Sequence, residues 1–392
     1  MLNLVLQLGC DFWGKDRLMQ KMPVGILGVA SLLAIAGHAQ AAPKTAKQVI
    51  ADQYICVFKP SITQPNVQAQ ANRVVGAQNG NLLRTYRHSI RGFAAHMSAQ
   101  AVARIDKVNS GIAFCEQDQV ASASQVATAK PGSGGGSVQP AQTIPWGVKL
   151  VGGGITTSPA LAWVIDSGID LTHPDLNVNK TGNISFTRDS SPNDGNGHGT
   201  HVAGIIAACN NSIGVVGVAP CTAVVSVRVL DRTGRGSVSD VIAGIDYVAQ
   251  YGRAGDVANL SLGAGASDAL DAAVINAAAA HGVKFTIAAG NSSDNANNYS
   301  PARANGPGVY TVSAFDSSRN FASFSNFGNP PIDFSEPGVS IYSTTKGGSY
   351  VTLSGTSMAA PHLAGLLLLG NANNGGPVQN DPDGTADIIG IH

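Results

Sequence analysis

Charged and aromatic side chains are scarce in this sequence. Asp, Glu, Lys and Arg make up 12% of the 392 residues and aromatic residues only 6%, whereas a typical domain has about 25% charged residues. The 24 acidic and 24 basic side chains cancel, so the formal net charge is zero. This balance excludes the strongly basic surface that binds nucleic acid and the high net charge that keeps chains disordered. We therefore expect no nucleic acid among the partners.

Small residues take the place of charge. The chain has 47 glycines, and hydrophobic residues make up 44% of it, enough over this length to bury a sizeable core. Coiled coils have the opposite composition, rich in Glu, Lys and Leu and poor in glycine. The composition therefore predicts a globular protein with one large domain and smaller additional parts.

Long apolar runs are almost absent. The single clear one, residues 24–36, is too short to cross a hydrocarbon core of about 30 Å, so we expect no membrane anchor. Lys21 precedes the run and Ala39-Gln40-Ala41 follows it, which is the arrangement of a secretory signal and its cleavage site. The pattern predicts that residues 1–41 are a signal peptide and that the mature protein is secreted.

The first twenty residues fit a signal peptide poorly. Asp11 and Asp16 precede the basic residue, so the true start of the protein is Met19 or Met22 if the signal is of the ordinary kind. Cys10 offers an alternative, a lipid-modified cysteine. The absence of positive charge before it disfavours that interpretation.

Four further cysteines, Cys56, Cys115, Cys209 and Cys221, make an even number. An oxidising compartment permits disulfides among them. A bridge from Cys209 to Cys221 closes a short loop and would contribute roughly 3 kcal/mol by the loop-entropy estimate. Two buried free thiols remain the alternative for that pair.

The region after the signal predicts a small α+β unit. Strand and helix patterns alternate through it, with strands at 53–58, 92–97 and 111–116 and helices at 67–78 and 98–108. This is a split-βαβ plan, in which the first and last strands are neighbours. Cys56 and Cys115 are then able to face one another and pair.

A domain boundary follows this unit. Residues from about Ala121 to Pro140 show no apolar period and are rich in glycine and serine, which is typical of a flexible linker.

Beyond the linker, β-rich runs at 161–165, 223–229 and 283–287 alternate with Ala-rich segments of helical length. Runs that are apolar throughout indicate strands buried on both faces, hence a mainly parallel sheet with helices on each side.

Three motifs carry residues suited to chemistry. Asp166 directly follows a buried strand, where functional groups collect in parallel sheets. His198 lies between two glycines before an apolar helix, and Ser357 lies where a loop enters another apolar helix. Nucleophilic acyl transfer needs these three groups: a hydroxyl, an imidazole that takes its proton, and a carboxylate that orients the imidazole.

The motifs Asp166-Ser167-Gly168, 197–201 (GHGTH) and 354–362 (SGTSMAAPH), in this order, resemble the subtilisin-like serine protease family. The resemblance covers 141 to about 370, and 54–118 resembles the inhibitory propeptide of many secreted members. It implies a three-layer α/β catalytic domain with a mainly parallel sheet, preceded by a small ferredoxin-like α+β propeptide. The implied order is signal peptide, propeptide, flexible linker and catalytic domain, at 1–41, 42–124, 125–140 and 141–392.

The resemblance also implies the roles of single residues. Asp166, His198 and Ser357 would form the catalytic triad, and the Asn291 amide would join the Ser357 backbone N–H in an oxyanion hole. Ser261, Leu262 and Gly263 would form an edge segment that pairs with an extended substrate, with a segment containing Gly234 and Gly236 on its other side. The lack of acidic groups beside these segments favours apolar or aromatic residues before the scissile bond.

A calcium site is also implied by the resemblance. Side chains of Gln142, Asp175 and Asn211 and main-chain carbonyls of Cys209, Ile213 and Val215 would supply hard oxygen ligands. A plain Asn-rich turn is the alternative for this loop. Glu336 departs from the family, which usually has a small residue before the Pro-Gly that follows.

The resulting hypothesis is a secreted, monomeric serine endopeptidase that acts on polypeptides. Its own propeptide would inhibit it until the enzyme cuts that propeptide away. A non-catalytic secreted binding protein with the same fold is the rival, although all four reactive positions are filled. A metalloenzyme built on His198 and His201 lacks the neighbouring Glu of a zinc protease motif, and no Gly-x-Ser-x-Gly elbow supports an α/β-hydrolase.

Overall fold

The computed structural model describes residues 48–108, 111–124 and 139–392. The predicted signal peptide at 1–41 and most of the predicted linker at 125–140 lie outside the described residues. The described strands are β1 (Val49–Phe58), β2 (Asn81–Tyr86), β3 (Gly92–His96), β4 (Ile112–Ala123), β5 (Ala162–Asp166), β6 (Ile184–Ser185), β7 (Val224–Arg228), β8 (Arg235–Ser237), β9 (Val257–Leu260), β10 (Leu262–Gly265), β11 (Lys284–Ala288), β12 (Tyr299–Ser300), β13 (Val309–Phe315), β14 (Ile332–Pro337), β15 (Ile341–Thr345), β16 (Ser349–Leu353), β17 (Asn373–Pro377) and β18 (Ile388–Ile391). The described α-helices are α1 (Val67–Gly76), α2 (Ala99–Val108), α3 (Trp146–Leu150), α4 (His198–Ala207), α5 (Val238–Tyr251), α6 (Asp268–His281) and α7 (Thr356–Leu368).

The N-terminal unit follows the predicted split-βαβ plan. Its strands lie in the antiparallel order β2-β3-β1-β4, so the first and last predicted strands are indeed neighbours. Apolar residues of α1 and α2 form one buried cluster with the strands. Strand β2 was not predicted, because its Leu and Arg residues are only half buried at the edge of the sheet and show no clear alternation.

Both cysteine pairs form disulfides. Cys56 and Cys115 are directly opposite in the register of β1 and β4 and are bonded to each other. Cys209 is bonded to Cys221 across the loop that follows α4. The alternative of two free thiols in that loop is therefore wrong.

The last strand of this unit is longer than predicted. The apolar pattern indicated a strand over 111–116, whereas β4 continues to Ala123. Residues 121–123, assigned from the sequence to the start of the linker, are thus part of a strand. They pair with β8 and β10 of the C-terminal part, and such pairing between distant segments leaves no local signal in the sequence.

The C-terminal part contains a nine-stranded sheet in the order β17-β18-β14-β13-β11-β9-β5-β7-β6. All neighbours are parallel except β17 and β18, which confirms the expected mainly parallel sheet. Alternate residues of each strand face opposite layers. Ala162 and Val164 of β5 belong to the buried cluster that contains α4 and α7, whereas Trp163 and Ile165 belong to the cluster that contains α5 and α6.

This three-layer arrangement positions the three motifs that the sequence singled out. Strands β5, β9 and β11 are neighbours or next neighbours and run in the same direction, so their carboxyl ends meet at one edge of the sheet. Helices α4 and α7 pack against each other on one face. In the part of the chain that the structure describes, no helix is both long and apolar enough to cross a bilayer.

Glu336 is a buried acid in this sheet. It lies on β14, which is the neighbour of the C-terminal strand β18, and its side chain is 0% exposed. Neither of its carboxyl oxygens has a hydrogen-bond partner among the described residues, and the main chain of Gly390 lies directly against it. Burial raises the pKa of Glu336 well above its ordinary value, and the nearby Gly390 backbone offsets only part of this effect.

We expect Glu336→Gln to stabilise the protein at neutral and alkaline pH. The unfolded carboxyl releases its proton near its ordinary pKa of 4.5, whereas the folded one keeps it, so stability falls as the pH rises from that value to the folded pKa. The amide has no such titration. Thermal unfolding from pH 4 to 9 should show similar Tm values at pH 4 and a growing advantage of the variant above it, about 2–4 °C for each kcal/mol. A variant less stable than wild type at every pH would contradict this account.

Candidate active site

Asp166 and His198 form a buried hydrogen-bonded pair. Asp166 is the last residue of β5, and His198 is the first residue of α4. The His198 Nδ1 atom lies 2.8 and 3.0 Å from the two carboxylate oxygens of Asp166, and both side chains are fully buried. The sheet edge and the helix start thus bring together two residues that are far apart in the sequence.

The glycine after His198 is what lets α4 come this close. A Cβ atom on Gly199 would overlap the Gly168 carbonyl oxygen and lie 3.1 Å from the Asp166 Cβ. The first of these atoms belongs to the main chain and cannot rotate away. Any side chain at position 199 would therefore push the imidazole away from the carboxylate.

The protonation of His198 reflects two opposing effects. Burial alone lowers the pKa of the imidazole, but the charge of Asp166 and its hydrogen bond to Nδ1 more than offset this, so the pKa of His198 is raised. With Asp166 as acceptor, Nδ1 carries the hydrogen of the neutral ring. The other nitrogen, Nε2, is buried and has no hydrogen-bond partner among the described residues, which leaves it free to accept a proton.

Asp194 is a residue of this site that the sequence analysis missed. Its buried carboxylate accepts hydrogen bonds from the Ser167 hydroxyl at 2.9 Å, the Gly197 N–H at 2.8 Å and the Thr200 hydroxyl at 2.6 Å. It therefore ties the loop after Asp166 to the start of α4. An Asp followed by a short run of Gly and Asn is typical of surface turns, so its sequence context gave no signal of burial.

Ser357 lies in the first turn of α7 and is fully buried. Its hydroxyl donates to the main-chain carbonyl of Ser261 at 3.0 Å. The structure thus places Ser357 on the helix that packs against α4, but its hydroxyl is hydrogen-bonded to Ser261 rather than to His198. The Ser357 hydroxyl and the His198 Nε2 atom are not hydrogen-bonded to each other in this structure.

A buried polar chain fixes the start of α7. Asn259 donates to the Ser261 hydroxyl at 2.8 Å, and that hydroxyl donates to the Ser357 carbonyl at 2.8 Å. Thr286 in turn donates to the Asn259 side chain at 3.0 Å. Ser261 was predicted for its backbone alone, and the role of its side chain was missed. The sequence did contain a signal for this role, because Asn259 and Thr286 are polar residues within buried apolar strands, and such residues need hydrogen-bond partners.

Asn291 follows β11 and lies beside the start of α7. Its Oδ1 atom accepts hydrogen bonds from the Thr356 N–H at 2.9 Å and the Thr356 hydroxyl at 3.0 Å. Its Nδ2 group is buried and has no hydrogen-bond partner among the described residues. A buried amide donor left unpaired costs about 1–3 kcal/mol, which is a reason to expect that a ligand oxygen satisfies it.

The residues predicted to bind an extended peptide contact strand β4 of the same chain. Strand β4 lies between β8 and β10 and is antiparallel to both, with Ala121 opposite Gly236 and Ala123 opposite Leu262. The Ala123 N–H donates to the Gly234 carbonyl at 3.0 Å. Ser122 stands opposite Gly263, and the Ser124 N–H donates to the Ser261 carbonyl at 3.2 Å.

The residues predicted to hold calcium lie around the carboxylate of Asp175, which is fully buried. Asn211 Nδ2 and the Val215 N–H donate to it at 2.8 and 3.0 Å, and so does the hydroxyl of Tyr350, which was not predicted, at 3.2 Å. These partners are neutral. Burial raises the pKa of Asp175, and the hydrogen bonds offset part of the effect.

The other predicted calcium ligands, Gln142, Cys209 and Ile213, lie where the segment 141–142 contacts the loop after α4. Gln142 Nε2 donates to the Cys209 carbonyl at 3.0 Å, and Ile213 forms a bridge with Ala141. The described residues contain no group of three or more His, Cys, Asp and Glu side chains suited to a metal ion. A cation here would therefore depend mainly on amide and carbonyl oxygens.

His201 is a structural residue. Its Nε2 atom lies 3.1 Å from the carbonyls of both Ile341 and Val351, so it must act as a donor and ties α4 to the hairpin β15–β16. Burial lowers the pKa of His201 to about 3, with a further contribution from the nearby His198. The ring is therefore neutral and committed to main-chain contacts.

A parallel α/β sheet with a buried Asp–His pair at its edge and a serine at an adjacent helix start defines the class of serine hydrolases. The profile of the subtilase family matches residues 162–379, and that of peptidase inhibitor I9 matches residues 53–123. The chain belongs to the subtilase family, and it is a serine endopeptidase with an inhibitor domain of the I9 type before the catalytic domain.

Individual relatives agree with this assignment. Subtilisin Savinase of Lederbergia lenta is 44% identical over 241 residues, which are 60% of this chain and 86% of that protein. Subtilisin E of Bacillus subtilis (strain 168) is 36% identical over 342 residues, which are 84% of this chain and 82% of that protein. The crystal structure of a cold adapted subtilisin-like serine proteinase superposes with a TM-score of 0.56 at 36% identity, covering 62% of this chain and 96% of that one.

Proposed function

We propose that Ser357 is the nucleophile of this endopeptidase, that His198 takes and returns its proton, and that Asp166 orients the imidazole. The observation that carries the proposal is the buried hydrogen bond between Asp166 and His198 Nδ1 at 2.8 Å. This bond fixes the tautomer in which Nε2 is unprotonated and able to act as a base. Rotation of the Ser357 side chain from Ser261 toward Nε2 would complete the triad.

The mechanism has two steps through an acyl-enzyme. The Ser357 oxygen attacks the scissile carbonyl while Nε2 accepts the hydroxyl proton, and the protonated imidazole then gives that proton to the leaving amine. Water repeats the sequence on the acyl-enzyme. Because only neutral His198 can act as the base and its pKa is raised, activity falls as the pH is lowered through that pKa.

Asn291 is the proposed oxyanion donor. Its Oδ1 atom is held by Thr356, which orients the unpaired Nδ2 group, and the Ser357 N–H at the start of α7 supplies a second donor. Such fixed donors stabilise the charge that develops on the carbonyl oxygen in the transition state.

Substrates would add a strand between β8 and β10. Support for this comes from β4, which lies there now and pairs with both. The I9 unit would thus inhibit the enzyme by occupying the cleft in the manner of a substrate, as part of a zymogen that the enzyme processes itself.

Contacts outside the cleft support the inhibitory role of this unit. Asp246 on α5 accepts hydrogen bonds from the N–H groups of Arg87, His88 and Ser89. Glu116 and Asp118 of β4 accept main-chain N–H groups at the starts of α6 and α5, where the helix dipoles favour negative charge. Burial raises the pKa of both Glu116 and Asp118, against the effect of these hydrogen bonds.

The chain would act as a secreted monomer once 1–41 is removed. The two disulfides support an oxidising compartment, since such bonds are rare in the cytosol.

Ser357→Ala should abolish hydrolysis of peptide substrates and leave the I9 unit covalently attached. The variant removes only the nucleophilic oxygen, so its fold and its Tm should match those of the unprocessed precursor. Electrophoresis and mass spectrometry of the purified proteins report processing, and a chromogenic peptide reports activity. Normal processing of the purified variant would contradict the assignment of Ser357.

Asn291→Leu should lower kcat while leaving KM within a few-fold of wild type. Loss of one oxyanion donor costs about 10²–10³ in kcat, a magnitude that was measured on a subtilisin. Steady-state kinetics of the processed enzyme test this, with Asn298→Leu, at an exposed position, as the matched control. An equal loss in the control, or a loss confined to KM, would argue against the oxyanion role.

We propose further that Ca²⁺ binds to the loop between Cys209 and Val215. Gln142, Asp175 and Asn211 would contribute side-chain oxygens, and Cys209, Ile213 and Val215 would contribute carbonyls. The donor set consists of hard oxygens, as calcium prefers, and the buried Asp175 carboxylate is surrounded by neutral partners. Both carboxamides direct nitrogen at neighbouring oxygens, and a rotation of each would present oxygen to the ion. Bound calcium would neutralise Asp175 and hold the loop.

A chelator should lower the Tm, and added Ca²⁺ should restore it. Ligand at 100 times its dissociation constant stabilises the folded state by about 2.7 kcal/mol. Asp175→Asn should have a Tm that no longer responds to calcium, which distinguishes this site from ions bound elsewhere. Calorimetry of the Ser357→Ala precursor avoids self-digestion during the measurement. Identical melting curves with chelator and with calcium would refute the site.

A further inference from the structure

The end of β4 lies beside the proposed nucleophile. Ser124 is the last described residue of this segment, and its N–H donates to the Ser261 carbonyl at 3.2 Å. The Ser357 hydroxyl donates to the same carbonyl oxygen at 3.0 Å. Because both donors contact the same oxygen, the Ser124 nitrogen is at most about 6 Å from the hydroxyl oxygen of the proposed nucleophile.

The direction of the strand shows which carbonyl group of this segment lies nearest to Ser357. Along β4 the chain passes Ser237, Gly236 and then Arg235 on one side, and Ala123 then bonds to Gly234. It thus advances toward Ser261 and Ser357 as the sequence number rises. In an extended chain each residue advances about 3.3 Å, so the carbonyl of Ser124 follows its N–H toward Ser357.

We propose that the carbonyl of Ser124 is the one that the enzyme attacks first, so that the inhibitor unit is released with Ser124 as its C-terminus. This inference rests on the proposed function and adds the bond that is cut. Ser357 adds to the carbonyl, His198 gives the proton to the departing amine of the next residue, and water then hydrolyses the ester. One peptide bond and one water are consumed, and one carboxylate and one amine are formed.

The start of the catalytic domain is held elsewhere. The Pro140 carbonyl accepts from the Gly214 N–H at 2.8 Å, and the Thr143 N–H donates to the Gly214 carbonyl at 2.8 Å. Ala141 also bridges Ile213. These contacts bind residues 140–143 to the loop after α4, so a cut next to Ala141 would first require their release. Residues 125–140 therefore stay on the catalytic domain after the first cut, and their removal is a separate event.

The same register defines the substrate class. Ala121 and Ala123 alternate with Ser122 and Ser124, so the four side chains directly before the proposed bond are all small. Ala121 is 0% exposed and belongs to the same buried cluster as Val238, Val241 and Leu262. A larger residue in its place would overpack this site. The sequence alone favoured apolar or aromatic residues before the scissile bond, and we infer a preference for small ones instead.

Time-resolved maturation of the full precursor tests the assignment. The earliest catalytic fragment should begin at Gln125, and the earliest released fragment should end at Ser124, as read by N-terminal sequencing and intact mass. First fragments that begin at Ala141, or at any residue other than Gln125, would overturn the inference and leave the proposed function intact. A precursor that never processes itself and hydrolyses no peptide would instead refute the proposed function.

Two substitutions at one position isolate the contact. Ser124→Pro removes the N–H that donates to Ser261, whereas Ser124→Ala keeps it. We expect the proline variant to process at least about tenfold more slowly or at another bond, and the alanine variant to process like wild type. The Tm of each unprocessed precursor in the Ser357→Ala background shows whether it folds. Equal processing of both variants after position 124 would contradict the inference.

Peptides give a second measurement that does not depend on folding of the precursor. Processed enzyme should cut a peptide of residues 119–128 after the serine that corresponds to Ser124. It should do so with kcat/KM at least about tenfold above that for a peptide with Phe at positions 121 and 124. A preference for the Phe peptide would refute the small-residue assignment.

Discussion

The buried hydrogen bond between Asp166 and His198 is the contact on which the site depends. It requires a strand end and a helix start to meet without water between them, and this in turn requires glycine at position 199. Asp194 holds the two segments together from the other side. A carboxylate buried in this way is tolerated because its hydrogen bonds satisfy it. The reactive geometry is therefore a property of the packed sheet edge rather than of any one loop.

The cleft and the catalytic centre share one structural element. The carbonyl of Ser261 accepts hydrogen bonds from the N–H of Ser124, directly after β4, and from the hydroxyl of Ser357. The Ser261 side chain in turn donates to the carbonyl of Ser357. Binding of an extended chain and placement of the proposed nucleophile are thus coupled through a single residue, which is anchored by Asn259. This coupling explains why polar residues occur inside strands that are otherwise apolar.

Much of this arrangement was predictable from the sequence. The runs around Trp163, Val225 and Phe285 predicted a buried parallel sheet because they are apolar throughout. The three motifs singled out Asp166, His198 and Ser357 as candidates because each couples a functional group to glycine or to an apolar helix. Other features of the fold and the site could not be predicted, and the reason is physical. The pairing of residues 120–123 with β8 and β10, the burial of Asp194 and the unpartnered Glu336 depend on contacts between distant segments.

The disulfide between Cys56 and Cys115 has a consequence for the inhibitor unit after it is cut free. A chain of this size has a small core and is marginally stable alone, but a crosslink between residues 59 positions apart contributes about 4 kcal/mol by the loop-entropy estimate. The liberated unit would keep its shape in solution and remain able to rebind. Inhibition would then last until a reductant opens this crosslink or until proteolysis destroys the unit. The redox potential of the surroundings would therefore help to determine how long the enzyme remains inhibited.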